Sequence, residues 1–188
     1  MRLPKASDSE DLERLLSWAK KAGGELDSQG TFRARFRQAG KLGLTGLGVP
    51  KDYGGAGLSA YESVAVIEAL SENSDDAGFI FAMCAHNFAC VRPLAAFGNS
   101  QQRERWLPGL VEGSLIGAFA VTEPEAGSDA MGGKASAQSD GDSWRLSGAK
   151  AMITNAPEAD LILVIAKTAQ GRSFFASSGF LVPVGAPG

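Results

Sequence analysis

Apolar positions recur at helical spacing in the N-terminal part of the chain and gather into short runs in the C-terminal part. Leu12, Leu15, Leu16 and Ala19 share one helical face. Ser7 and Glu10 have capping-box spacing before them, and Gly23-Gly24 is predicted to stop that helix. A second helix is predicted over 31–39, with Phe32 and Phe36 four apart and Arg33, Arg35 and Arg37 read as a solvated row. Ser59 and Glu62 predict another capping box. The helix behind it, 59–70, is apolar almost all round and reads as buried core. Ser74, Asp75 and Asp76 cap a long predicted helix through 77–97, with Pro93 as its kink or break. Ser100 opens a last helix whose apolar side carries Trp106, Leu107, Leu110 and Val111. The period then changes. Residues 116–122 read as a strand, and 134–139 and 144–147 flank Asp140-Gly141-Asp142 as a hairpin. Short strands follow at 151–154, 161–168 and from 179 to 183. The switch from helix runs to strand runs predicts an α+β chain: a helical domain over 1–113 and a β domain over 114–188.

The chain has 188 residues, of which 44% are hydrophobic and 21% charged, ordinary values for a chain with a real core. Its net charge of −3 gives no basic field for nucleic acid and no polybasic segment for a membrane surface. Cys84 and Cys90 sit in an apolar segment without metal-site spacing. They read as buried free thiols, so a reducing, cytoplasmic setting is expected. The N-terminus lacks the apolar core of a signal peptide. The apolar run at 77–85, interrupted by His86, Asn87 and Arg92, is expected to be too short and too polar to span a bilayer. Gly54, Gly55 and Gly57 lack the strand–GxGxxG–helix or GK[ST] context of a phosphate loop, which leaves a tight structural loop. His86, among small apolar residues, reads as a hydrogen-bonded core histidine, and no metal site is expected.

The candidate chemistry lies in 117–132, GAFAVTEPEAGSDAMG. An apolar run leads into a loop with two hydroxyls, Thr122 and Ser128, and Gly127. Such a loop offers free N–H groups and lets a ligand come close. The run from Phe119 through Ala120, Val121, Thr122 and Glu123 to Gly127, Ser128 and Asp129 resembles the first signature of the acyl-CoA dehydrogenase family. A second stretch, Leu146-Ser147-Gly148 followed by Lys150-Ala151-Met152-Ile153-Thr154-Asn155, resembles that family's L-x-G-x-K-x-W-I-T-N. The glycine-rich connector at 40–58 and the phrase at 97–108 resemble other segments of it, so the likeness covers nearly the whole chain.

This resemblance implies the family's fold, with an antiparallel, barrel-like β domain that is truncated here and no C-terminal helical domain. It implies FAD as cofactor. Phe119, Ala120, Val121, Thr122, Gly127, Ser128, Met152, Ile153 and Thr154 would line the flavin, with the Thr122 hydroxyl at the N5/O4 edge. Ser128 would also touch the thioester substrate. Met152 stands where the family usually has tryptophan. The implied reaction is α,β-dehydrogenation of an acyl-CoA or carrier-bound acyl thioester. The family's glutamate base lies beyond this chain, so no catalytic residue is assigned; Glu123 and Glu125 belong to the cofactor loop. The resemblance also implies a homo-oligomer, dimer or tetramer, and allows an electron-transfer partner. The chain by itself is expected to be an inactive N-terminal fragment. Two other readings remain open: a non-catalytic remnant that binds a partner, and a relative with flavin oxidase or monooxygenase chemistry.

Overall fold

A computed structural model describes residues 9–26, 30–171 and 174–187. The chain divides into two compact units, Met1–Gly117 and Ala118–Gly188.

The first unit is helical. α1 (Ser9–Glu25) runs through Gly23-Gly24 instead of stopping there, because glycine at 23 serves contact. A Cβ on Gly23 would lie 2.4 Å from the Leu70 carbonyl oxygen, at the end of α3 (Ala60–Ser71). The expected Ser7 cap lies outside the described residues. α2 (Phe32–Leu42) is capped by the Thr31 hydroxyl, which accepts from the Ala34 amide. The α3 capping box forms as predicted: the Ser59 hydroxyl accepts the Glu62 amide, and the Glu62 carboxylate accepts the Ser59 amide at 2.7 Å. α3 buries Ser63, Val66, Ala69 and Leu70 but exposes Tyr61 and Val64, so it is amphipathic and not a wholly buried helix.

The arginine row is not wholly solvated either. Arg35 is buried, its guanidinium 2.7 Å from Asp76 and 4.0 Å from the centre of the Phe79 ring. Asp76 also caps α4 (Ala77–Cys84) by accepting the Phe79 amide. That amide first, and Arg35 next, hold the Asp76 carboxyl below its usual value.

The helical run from Ala77 to Phe97 does not break at Pro93. It passes through a π turn, Ala85–Val91, into α5 (Arg92–Phe97), whose second residue is Pro93. The run is 21 residues long and, by length and composition alone, apolar enough to cross a membrane, but 56% of its most apolar stretch is buried within the fold, as in a core helix. Its apolar side chains Phe79, Ile80, Met83, Val91 and Leu94 are buried within this unit. α6 (Ser100–Val111) follows, with its capping box made by Asn99 and Gln102.

Phe36, fully buried, is the aromatic hub of this core. Its ring centre lies 5.1 Å from that of Phe32, 5.5 Å from Phe79 and 5.3 Å from the His86 imidazole. The π turn supplies the polar fastenings. Asn87 donates to the Leu44 and Met83 carbonyls and accepts the Leu47 amide, so it satisfies backbone groups of the glycine-rich connector. His86 Nδ1 accepts the Gly117 amide at 2.9 Å, which leaves Nε2–H to donate to the Leu110 carbonyl.

The second unit is a small five-stranded sheet. β1 (Gly117–Ala120), β4 (Leu161–Lys167), β2 (Ser136–Asp140) and β3 (Ser143–Ser147) lie in the order β1-β4-β2-β3, and β5 (Ser177–Pro183) pairs with β4. β2 and β3 form the predicted hairpin, with Gly141 at φ 64 in its turn. β4 and β5 pair antiparallel from Leu161↔Pro183 to Lys167↔Ser177. The sheet is mixed, not antiparallel throughout as the family resemblance led us to expect, and it is not closed. β2 meets β4 in parallel at Ser136 and Lys167, where the Lys167 amide donates to the Ala135 carbonyl at 2.8 Å. The expected strand at 151–154 is a turn instead.

Burial pushes the His86 imidazole down from 6.5 to about 4, against the smaller opposing effect of the Leu110 and Thr45 carbonyls. The unfolded chain takes up that proton at the ordinary value and the folded chain does not. The stability tied to neutral His86 is therefore complete above pH 6.5 and declines as pH falls towards 4. At about 1.4 kcal/mol per unit this amounts to roughly 3 kcal/mol. His86→Gln, which can donate and accept in the same places, is expected to flatten the decline in unfolding free energy over that window, as read by urea denaturation at a series of pH values.

Candidate functional site

The residues singled out in the sequence fall on two loops of the second unit. Phe119 and Ala120 end β1, and Val121 and Thr122 follow, all at least partly buried. The chain then makes a tight turn in which Glu123 and Ala126 exchange backbone hydrogen bonds, both at 3.1 Å. Beyond it Gly127 and Ser128 are exposed. A Cβ on Gly127 would meet nothing within 4 Å, so no neighbour in the chain requires glycine there.

The second loop leaves β3 at Gly148, whose φ of 142 and close approach to Ala135 exclude a side chain: a Cβ would lie 2.7 Å from the Ala135 Cα. Met152 and Asn155 are both left-handed, at φ 55 and 69. Asparagine tolerates that conformation, but a methionine held there is strained. Met152 is also 86% exposed, so no packing within the chain repays its conformation.

The two loops are joined by polar contacts that the sequence reading missed. Lys150 Nζ donates to the Val121 carbonyl at 2.9 Å and to Glu123 Oε1 at 2.8 Å. The Ala151 amide donates to the Thr122 carbonyl at 3.0 Å. Glu123 Oε1 also accepts the Ala135 amide at 3.0 Å and Oε2 the Lys134 amide at 2.6 Å. Both side chains are largely buried, 15% exposed for Lys150 and 9% for Glu123. Burial raises the Glu123 carboxyl, but Lys150 and the two amides outweigh it and hold the group below its ordinary value. Glu125 is exposed and paired with Lys134 at 2.7 Å. Both Glu123 oxygens are thus engaged and its proton affinity is lowered, while Glu125 is exposed and ion-paired. The signal for the pair was present in the sequence as a lysine two residues after Gly148 and a glutamate after Thr122. Nothing local tied them together across 27 positions.

Among the described residues, no hydrogen bond engages the hydroxyls of Thr122, Ser128 or Thr154. The consecutive N–H groups of Met152, Ile153 and Thr154 donate to no backbone carbonyl there. A ligand edge rich in acceptors would find donors on both loops, and Met152 offers an adaptable apolar contact beside them. The cavity bordering Gly148 and Lys150 measures only about 80 Å³. A larger groove of about 800 Å³ lies in the helical unit, lined by Lys41, Asp52, Tyr53, Glu104 and Glu112, and none of the motif residues contributes to it.

Left-handed geometry costs an ordinary side chain on the order of 1 kcal/mol. Met152→Asn is therefore expected to raise the unfolding free energy of the chain by about 0.5–1 kcal/mol, measured by urea denaturation at neutral pH.

Two family profiles match the chain, "Acyl-CoA dehydrogenase, N-terminal domain" over residues 17–114 and "Acyl-CoA dehydrogenase, middle domain" over 118–188. The chain is 42% identical over 153 residues to an L-prolyl-[peptidyl-carrier protein] dehydrogenase of Serratia sp., with 81% of this chain and 40% of that protein covered. It is 41% identical over 147 residues to mitochondrial isovaleryl-CoA dehydrogenase of Bos taurus, covering 77% of this chain and 34% of the relative. Among solved structures, one titled "FAD complex of PigA" superposes with a TM-score of 0.91 at 35% identity, over 98% of this chain and 50% of that one. The chain thus spans half or less of the length of these proteins. The two profiles follow one another from residue 17 to the last residue, helical unit and sheet unit in turn, and the chain belongs to the acyl-CoA dehydrogenase family.

Proposed function

We propose that this chain is the flavin-holding part of an FAD-dependent enzyme that removes two hydrogens from the Cα–Cβ bond of an acyl thioester, carried on CoA or on a carrier protein. The observation that carries this reading is the pair of loops at 121–128 and 150–154. Three hydroxyls and three successive amides, for which no partner is found among the described residues, stand on segments cross-linked by Lys150. They fit the acceptor-rich edge of an isoalloxazine ring. The name of the Serratia relative, which acts on a carrier-bound prolyl group, and that of the bovine relative, which acts on isovaleryl-CoA, support a thioester substrate.

When bound, FAD supplies the oxidant that takes a hydride from Cβ. The chain's own residues hold and orient it. The Thr122 hydroxyl would donate to the flavin edge where negative charge develops, a donor set in place before reaction. Thr154 and the amides of Met152 and Ile153 would hold the ring beside it, and Ser128 would meet the thioester's carrier arm. Glu123 is a poor acceptor for the proton leaving Cα, since both its oxygens are engaged and Lys150 and the Lys134 and Ala135 amides lower its proton affinity. We further propose that the working enzyme is a homo-oligomer in a reducing compartment and that it passes electrons to a separate acceptor protein.

Titration of the chain with FAD, followed by flavin fluorescence, tests the reading. Saturable quenching is expected, about tenfold weaker in Thr122→Val, the equivalent of one lost hydrogen bond to a charged or polar edge. No turnover of acyl thioesters is expected from the chain by itself. The reading fails if FAD is not bound, or if Thr122→Val binds it as well as the unmodified chain.

A further inference from the structure

We propose that Glu123 and Lys150 are a positioning pair: buried between the two loops, they fix the direction in which Thr122 and the turn at 152–154 present their donors. The proposal rests on the flavin reading above but makes a separate claim about the chain itself.

The geometry around Thr122 is the starting point. Two rigid peptide planes flank the residue, and its φ and ψ are the only soft torsions between them. The preceding plane is anchored because the Val121 carbonyl accepts Lys150 Nζ at 2.9 Å. The following plane is anchored because the Thr122 carbonyl accepts the Ala151 amide at 3.0 Å. With both planes held, the hydroxyl has only its staggered χ1 positions left. The same lysine and the residue after it hold both anchors, and the next residue is Met152. One pair of contacts therefore sets Thr122 and the entry to the left-handed turn together.

Lys150 holds this position because Glu123 holds Lys150. The Glu123 carboxylate is itself fixed by the Lys134 and Ala135 amides at 2.6 and 3.0 Å, next to β2. It transmits the position of the sheet to the lysine and through it to Val121. Buried ion pairs contribute little net stability, because desolvation offsets attraction, and an apolar pair of similar volume would pack as well. What an apolar pair cannot do is place two carbonyls. Nor does the pair act as acid or base: Glu123 is engaged on both oxygens, and Lys150 is engaged with Val121 and Glu123.

The test has one readout on the chain and one on the ligand. Hydrogen–deuterium exchange reports the Ala151 amide directly. In Lys150→Met and in Glu123→Gln, Ala151 is expected to exchange about tenfold faster or more, while the β4–β5 amides keep their protection. FAD affinity, by fluorescence titration, is expected to fall about tenfold in both variants. Lys150→Arg, which keeps the charge and can still donate to both oxygens, is expected to stay within about threefold of the unmodified chain. A purely structural role would instead loosen β4 and β5 along with Ala151. That result overturns the proposal, as does unchanged Ala151 exchange, or faster Ala151 exchange with FAD affinity unchanged. If Lys150→Met does not fold, Glu123→Gln and Lys150→Arg carry the same two measurements. If the unmodified chain binds no FAD, the flavin reading falls, and the exchange data alone decide whether the pair fixes the loop.

Discussion

A carboxylate with only two oxygens ties the loop after β1 to the segment leading into β2 and to Lys150. Glu123 accepts two amides beside β2 and the ammonium group of Lys150, and through that lysine it reaches back to Val121. The dependence is understandable from the size of the core. Among the described residues, one buried cluster of this unit is Ala135, Ala137 and Ala166 with Leu146 and Phe180 packed against it, and the other buried apolar residues are mostly alanines, with Leu161. Small side chains bury little area each, so packing contributes less to holding these loops than it does in the helical unit. Polar contacts with fixed lengths and directions do what packing does elsewhere.

The helical unit solves the same problem in the opposite proportion. Leu15, Phe36, Leu44, Leu47, Leu70 and Met83 are fully buried and supply bulk. Polar side chains appear in that core where backbone groups would otherwise go unpaired. Asn87 serves the connector at 44–47, and Thr45 donates to the Val111 carbonyl at 2.6 Å. His86 closes the end of α6 against Gly117 while remaining neutral. A neutral imidazole suits this place because one nitrogen must accept and the other donate, which the protonated ring cannot do.

The parts of this structure that were legible in the sequence are those decided within a few residues. The Ser59–Glu62 box, the Asp76 cap and the hairpin around Gly141 depend on local geometry, and each appears where its residues predict it. The readings that differ depend on partners far along the chain. Arg35 read as solvated because nothing near it in sequence is acidic, yet its partner Asp76 stands 41 positions away. The segment at 151–154 has the apolar, β-prone look of a strand. Lys150 and the left-handed Met152 turn it aside into a loop, and a one-dimensional pattern does not carry that information. For the candidate site, both motifs contain Glu123 and Lys150, but neither motif shows that the two side chains meet, 27 positions apart in sequence.

The π turn at Ala85–Val91 changes how the helix containing it should be compared with others. A π turn holds one residue more than the α turn it replaces, and one residue corresponds to about 100° of rotation. The faces presented by α4 and α5 are therefore out of phase by that angle, and a helical wheel drawn straight through 77–97 misplaces every position after the turn. Removing one residue from the turn would restore a regular α-helix with α4 and α5 keeping their facing; what would be lost is the widened turn that presents His86 and Asn87. Asn87 and Phe36's partner His86 would then point elsewhere, even though every remaining side chain was unchanged. In this segment the length of the chain, as much as the identity of its residues, is under structural constraint.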